Sequence, residues 1–237
     1  RYFEKTNGTS PFDITLSNEG DDFAVMGMHF KLGLYEHQSA GALEGLQKMV
    51  YETKFAAEHS INDIENINIV AYEPAFGIIG DPAKKTPSTR QSADHSMVYI
   101  VSTILRKAFE TRDLLSKLQG FKNLDGVWKM LMLEPKDYGH QALFNKQTRD
   151  LMAKCTFTHG GPEYDAKYPE GIPTSISVTL KGGKKYDSGF VMFPSGHSRN
   201  NTANLREILD YKNNLLGKLA LSESELSEKL ALLNNIE

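Results

Sequence analysis

Apolar residues recur at Met97, Ile100, Val101, Ile104, Leu105 and Ala108, at offsets of 0, 3, 4, 7, 8 and 11. That is the stripe of a helix with one buried face, and it predicts a helix opening at Thr89 and running through Glu110. Pro87 lies just before it, and Ser88 or Thr89 can cap its free amides. A second stripe, Leu43, Leu46, Met49 and Val50, predicts a helix from Ser39, its expected cap, to about Glu58. Period-two alternation replaces this spacing at Ile67, Ile69 and Ala71, and again at Ile176, Val178 and Leu180. Those stretches read as half-buried strands over 64–71 and 175–180. Met28–Leu34 and Cys155–Thr158 read as further strands, and Gly182-Gly183 as a hairpin turn with Phe190–Phe193 as the returning strand.

Pro74 to Pro87 is a Gly/Pro loop, and 111–138 reads as short helices broken at Gly120 and Pro135. Lys146–Lys154 looks helical. From Asn204 the pattern is helical again, with Ser222-Glu223-Ser224-Glu225 as a capping box for the last helix. Two amphipathic helices alone cannot bury both their faces, so this tail is expected to dock onto something. The organisation expected is a leading segment over 1–26, a mixed α/β block over 27–193, and a helical tail over 194–237.

Composition narrows the function classes. The chain has 237 residues, 40% hydrophobic and 24% charged, so a folded core is expected. Its net charge of -3 gives no overall nucleic-acid footprint. A single cysteine, Cys155, excludes an intrachain disulfide, a four-cysteine zinc site and an iron–sulfur cluster ligated from this chain alone. Its setting reads as a small buried hydrophobe. No run of about 18 apolar residues predicts a membrane span. The start at Arg1-Tyr2-Phe3 is neither an initiator Met nor a signal peptide, and reads as a truncated N-terminus. Sequons at Asn7 and Asn200 are short enough to occur by chance.

Several residues could carry chemistry. Lys31, at an expected strand end, and His37, at the entrance to the next helix, would suit an anion site. The ammonium would meet a carboxylate, and the imidazole could move a proton. The same pair could equally be a surface lysine and a capping histidine. Arg90, Asp94 and His95 cluster at a helix start, as an oriented acid/base pair or as a capping network. His197 and Arg199, beside Gly196, could bind an anion or serve packing. Tyr72 ends a strand, where it could donate to a substrate or simply pack. Tyr164–Gly171 is a polar loop, and His29, His59, His140 and His159 show no ligand-like spacing, so no metal is assigned. Phosphate-cradling and dinucleotide glycine patterns are absent from the sequence.

Taken in order, these pieces resemble the MmgE/PrpD family, which includes 2-methylcitrate dehydratase. The resemblance rests on Phe30-Lys31 with His37, the Asp81-Pro82 to Thr89-Arg90 loop, and Ala93-Asp94-His95-Ser96 with Tyr99. It continues through Arg149–Lys154, Tyr168-Pro169, Ile172–Ser175 and Phe193–His197, and covers residues 24 to 210. The resemblance implies an α+β fold, with a small mixed α/β lid domain flanked by helical segments of a larger all-helical domain. Under it, residues 1–26 would end the first helical segment and 194–237 would return to that domain. The N-terminal half of the same protein would then be a partner, carrying further catalytic groups, and the whole would be a homodimer. Two departures stand out. The segment from Lys31 to His37 lacks the family's usual proline, and 111–145 is longer than usual.

The implied activity is a cofactor-independent hydro-lyase acting on a small tricarboxylate, 2-methylcitrate to 2-methyl-cis-aconitate. Lys31, His37 and Tyr72 would be catalytic, with Arg90 and His95 binding substrate. No cofactor, metal, nucleic-acid or membrane partner is implied. Two alternatives stay open: a cis-aconitate decarboxylase, and a non-catalytic fragment acting as an interaction module. Bacterial cytoplasm and mitochondrial matrix fit equally.

Overall fold

The computed structural model describes residues 27–234, so expectations for 1–26, including the sequon at Asn7, lie outside the described residues. The first half contains helices α1 (Ala40–Thr53) and α2 (Phe55–Glu58), strand β1 (Ile64–Ala71), and helices α3 (Arg90–Ala93), α4 (Met97–Glu110), α5 (Leu114–Gly120) and α6 (Asp125–Leu131). Then come α7 (His140–Leu143), α8 (Lys146–Met152), β2 (Cys155–His159), α9 (Pro162–Asp165), β3 (Thr174–Leu180), β4 (Lys185–Asp187), α10 (Leu205–Gly217) and α11 (Glu223–Asn234).

The fold is mixed α/β around one four-stranded sheet in the order β2-β1-β3-β4. β1 and β2 run parallel, while β1–β3 and β3–β4 are antiparallel. The alternation in β1 and β3 sorts the sheet into two unlike faces. Ile67, Ile69, Ile176 and Val178 are buried on one face. On the other, Asn68 Oδ1 accepts hydrogen bonds from Thr156 Oγ1 (3.0 Å) and Thr158 Oγ1 (2.9 Å). α1 lies against β3, and its small residues permit the close approach. A Cβ on Gly41 would come within 2.6 Å of Thr174 Oγ1, and one on Gly45 within 2.9 Å of Ile176. α4 packs on α1 and α8, and α10 on α6; Ile208 of α10 belongs to the same hydrophobic core as Trp128 of α6. A buried carboxyl joins the layers: Glu44 of α1 accepts from Trp128 Nε1 (2.8 Å) and from Ser195 N (3.0 Å).

Five expectations are corrected. Met28–Leu34 is not a strand; loops pin it instead, through Phe30 N–H to Gly196 O (2.8 Å) and Leu34 N–H to Leu133 O (3.1 Å). Lys31 therefore sits on a pinned loop rather than at a strand end. The helix expected over 39–58 is split at Lys54, whose left-handed φ of 57° ends α1. Ser39 makes no side-chain cap; Glu36 caps the entry turn by accepting from Gln38 N–H (3.0 Å).

The helix expected from Thr89 to Glu110 is two helices. Thr89 caps α3, while Ser96 caps α4 by accepting from Tyr99 N–H (3.3 Å) and donates to Lys84 O (2.6 Å). The break frees Asp94 O to accept from Glu36 N–H (2.9 Å). Finally, the returning strand is β4, not Phe190–Phe193, where Val191 makes only an isolated bridge with Thr174. The ladder stops because Ser188 Oγ takes over as acceptor for Ile176 N–H (3.0 Å) and Gly189 turns away with φ of 67°.

Candidate functional site

The break between α3 and α4 brings two stretches of chain together. The Glu36–Asp94 backbone bond holds the His37 turn beside the His95 turn. Tyr138 donates its hydroxyl to Leu34 O, and Leu32 N–H donates to Tyr35 Oη (2.9 Å), so the loop before His37 is clamped on both sides. Gly196 lets the other clamp form, because a Cβ there would collide with Phe30 O.

Two adjoining lobes open at this junction. The first, of about 340 Å³, is lined by Lys31, His37, Arg90, His95 and Lys212. The second, of about 530 Å³, is lined by His29, His37, Tyr72, His95 and Tyr168. Glu36 lies in the wall of both. The five residues given roles by the resemblance therefore line these two lobes, with His37 and His95 shared, Lys31 and Arg90 in the first and Tyr72 in the second. Volumes of this size suit a small molecule. Size alone does not mark the site: a cleft of about 500 Å³ beside α2 and α5 is as large, but its histidine, His59, is engaged with Tyr186 Oη (2.9 Å).

The two lobes differ in character. In the first, Lys31, Arg90 and Lys212 have no ion-pair partner among the described residues. Lys212 Nζ donates to Lys31 O (2.6 Å), and burial followed by the charge of Lys31 lowers its pKa. In the second, Tyr72 is buried and stacks on Tyr168, with ring centroids 4.6 Å apart and planes 18° apart. Burial, followed by the nearby Tyr168 and Glu36, raises the Tyr72 pKa, so its hydroxyl stays a donor.

His37 has no ring hydrogen bond among the described residues, and its pKa is lowered, first by burial and then by His29 and Lys31. His29 packs between two other imidazoles, 5.4 Å from His37 and 3.7 Å from His197 by ring centroid. His197 is held as a neutral tautomer. Its Nδ1 accepts from Arg199 N–H (3.0 Å), which leaves Nε2 as the donor to Glu170 O (3.1 Å). Burial and the neighbouring His29 push the His197 pKa down to about 4. His95 pairs with Asp94 and also contacts Gln91 O (3.2 Å), so it belongs to a helix-end network while facing both lobes.

Sequence reasoning missed His29, Glu36 and Lys212 at this site, and did not connect His197 to His37. Glu36 stood in the quoted stretch beside His37 but received no role. Its Oε2 is buried with no hydrogen-bond partner, and burial raises its pKa. Lys212 lay in a helix read only for its apolar stripe. Cys155 is buried, and burial pushes its thiol up to about 12, which suits a packing role.

Among the described residues, no three His, Cys, Asp or Glu side chains are placed to hold a metal, and no helix is long and apolar enough to cross a membrane. Compared with known proteins, the chain matches no family model and no curated sequence.

Proposed function

We propose that the site serves a cofactor-independent lyase that removes water from a small tricarboxylate, in the manner of the MmgE/PrpD dehydratases. The observation that carries this reading is the convergence of Lys31, His37, Tyr72, Arg90 and His95 on two lobes that share His37. Elimination beside a carboxylate needs a neutral base, cations to hold the carboxylates, and a donor at the departing oxygen.

His37, neutral at physiological pH because its pKa is lowered, takes the proton from the carbon beside a carboxylate. The C–H electrons form the double bond as the C–O bond breaks. The resulting imidazolium returns its proton to the departing hydroxyl, which leaves as water while Tyr72 hydrogen-bonds that oxygen. Lys31 and Arg90 offset the charge that builds on the carboxylate, and His95 binds at the junction of the lobes.

The test is incubation of the full-length protein with 2-methylcitrate, citrate and cis-aconitate in chelator, following new unsaturation and released carbon dioxide together. Unsaturated product from 2-methylcitrate without carbon dioxide is expected, and His37→Asn should slow it about 10²–10⁴-fold. Carbon dioxide from cis-aconitate would replace dehydration by decarboxylation. Full activity in His37→Asn would overturn the role of His37.

A further inference from the structure

The geometry points to Lys212 as a carboxylate-binding residue of this cleft, supplied by α10 from the far end of the chain. The inference rests on the polyanion reading of the first lobe and extends it to a residue that no sequence motif marks.

Three observations carry it. First, Lys212 lines the same lobe as Lys31 and Arg90. Second, its Nζ is fixed there by the 2.6 Å bond to Lys31 O, which brings a second ammonium group next to the Lys31 segment. Third, none of these three cations is paired with a carboxylate within 4.0 Å among the described residues; Lys31 and Arg90 are exposed, but Lys212 is half-buried, where other lysines of the fold are paired. Lys107, for example, holds the buried Asp137 at 2.7 Å.

The opposing charges in the lobe are few. Asp94 is taken up by His95, and Glu36 is buried with a raised pKa, its carboxylate facing the charges of His95, Lys31 and Lys84. Lys31, Arg90 and Lys212 line the lobe with Glu36 as the one carboxylate acting on Lys31, so the cations outnumber the free anions there. A ligand with two or more carboxylates balances that excess and gains charge-assisted hydrogen bonds. Burial first, and then the charge of Lys31, lowers the Lys212 pKa.

Lys212 also ties α10 to the loop bearing Lys31, so a merely structural role has to be separated from binding. Lys212→Gln keeps a donor for Lys31 O and drops the charge, while Lys212→Arg keeps the charge. The experiment is calorimetric titration of the full-length protein with tricarballylate, which has no hydroxyl to lose. Wild-type protein should bind it. Lys212→Gln should bind at least tenfold more weakly at an unchanged melting temperature, Lys212→Arg within about threefold of wild type, and the salt dependence of binding should flatten in Lys212→Gln. Equal binding by Lys212→Gln and wild type overturns the inference and leaves the lyase reading untouched. Binding that weakens in Lys212→Gln, in a protein that transforms none of the three tricarboxylates, upholds Lys212 and overturns the lyase reading. Absence of tricarballylate binding by the wild type overturns the inference about Lys212, and turnover of 2-methylcitrate decides the lyase reading separately.

Discussion

A base must be neutral before it can accept a proton, and burial keeps His37 neutral to lower pH than a free imidazole. The acid limb of the kcat/KM profile should therefore lie below pH 6.5, and should vanish in His37→Asn together with most of the activity. His197 makes a separate prediction about stability. Its folded pKa of about 4 lies below the unfolded value of 6.5, so the unfolded chain binds more protons across that window. The stability tied to its neutral form is complete above pH 6.5 and is lost as pH falls toward 4. Melting temperature measured over this window should fall, and fall less steeply in His197→Asn. His37 and His95 were legible in the sequence because each stands at a helix start, where local spacing carries information. The His29–His197 contact was not legible, because a backbone bond from Phe30 to Gly196 creates it between segments with no shared period.

Among the elements, periodicity found β1, β3 and the body of α4, where one face is buried and the other is not. It failed where side chains compete with the backbone. Ser96 and Ser188 each replace a backbone partner, opening α4 as a separate helix in one case and ending a strand ladder in the other. It also failed at Met28–Leu34, which forms no ladder and leaves Met28 and Phe30 exposed. The α1–β3 contact yields a prediction opposite to helix propensity. Replacing a helical glycine by alanine ordinarily stabilises by up to about 1 kcal/mol. Gly45→Ala should instead destabilise by about 1–3 kcal/mol, because the added methyl meets Ile176 and Ser188 at 2.9 Å. Gly120→Ala, with nothing within 4 Å, should not destabilise. Chemical denaturation of the two variants checks both.

For the molecule as a whole, stability is unevenly shared. α4 is buried at most of its positions, whereas Ile208 is the buried residue of α10 and Leu226 that of α11, with Leu232 and Leu233 exposed. Amide hydrogens of α11 should exchange well before those of α4, and hydrogen exchange resolved by segment will show it. The bond between Lys212 and Lys31 spans 181 positions of the chain. During synthesis the loop bearing Lys31 leaves the ribosome long before α10 does, and domains begin to fold from the N-terminal side. A nascent chain paused after β4 would already hold His37, Arg90 and Tyr72, with the first lobe one cation short. The capacity to hold a polyanion would then arise late and abruptly, as α10 docks. Ligand capture by stalled chains of increasing length would time that last step of assembly.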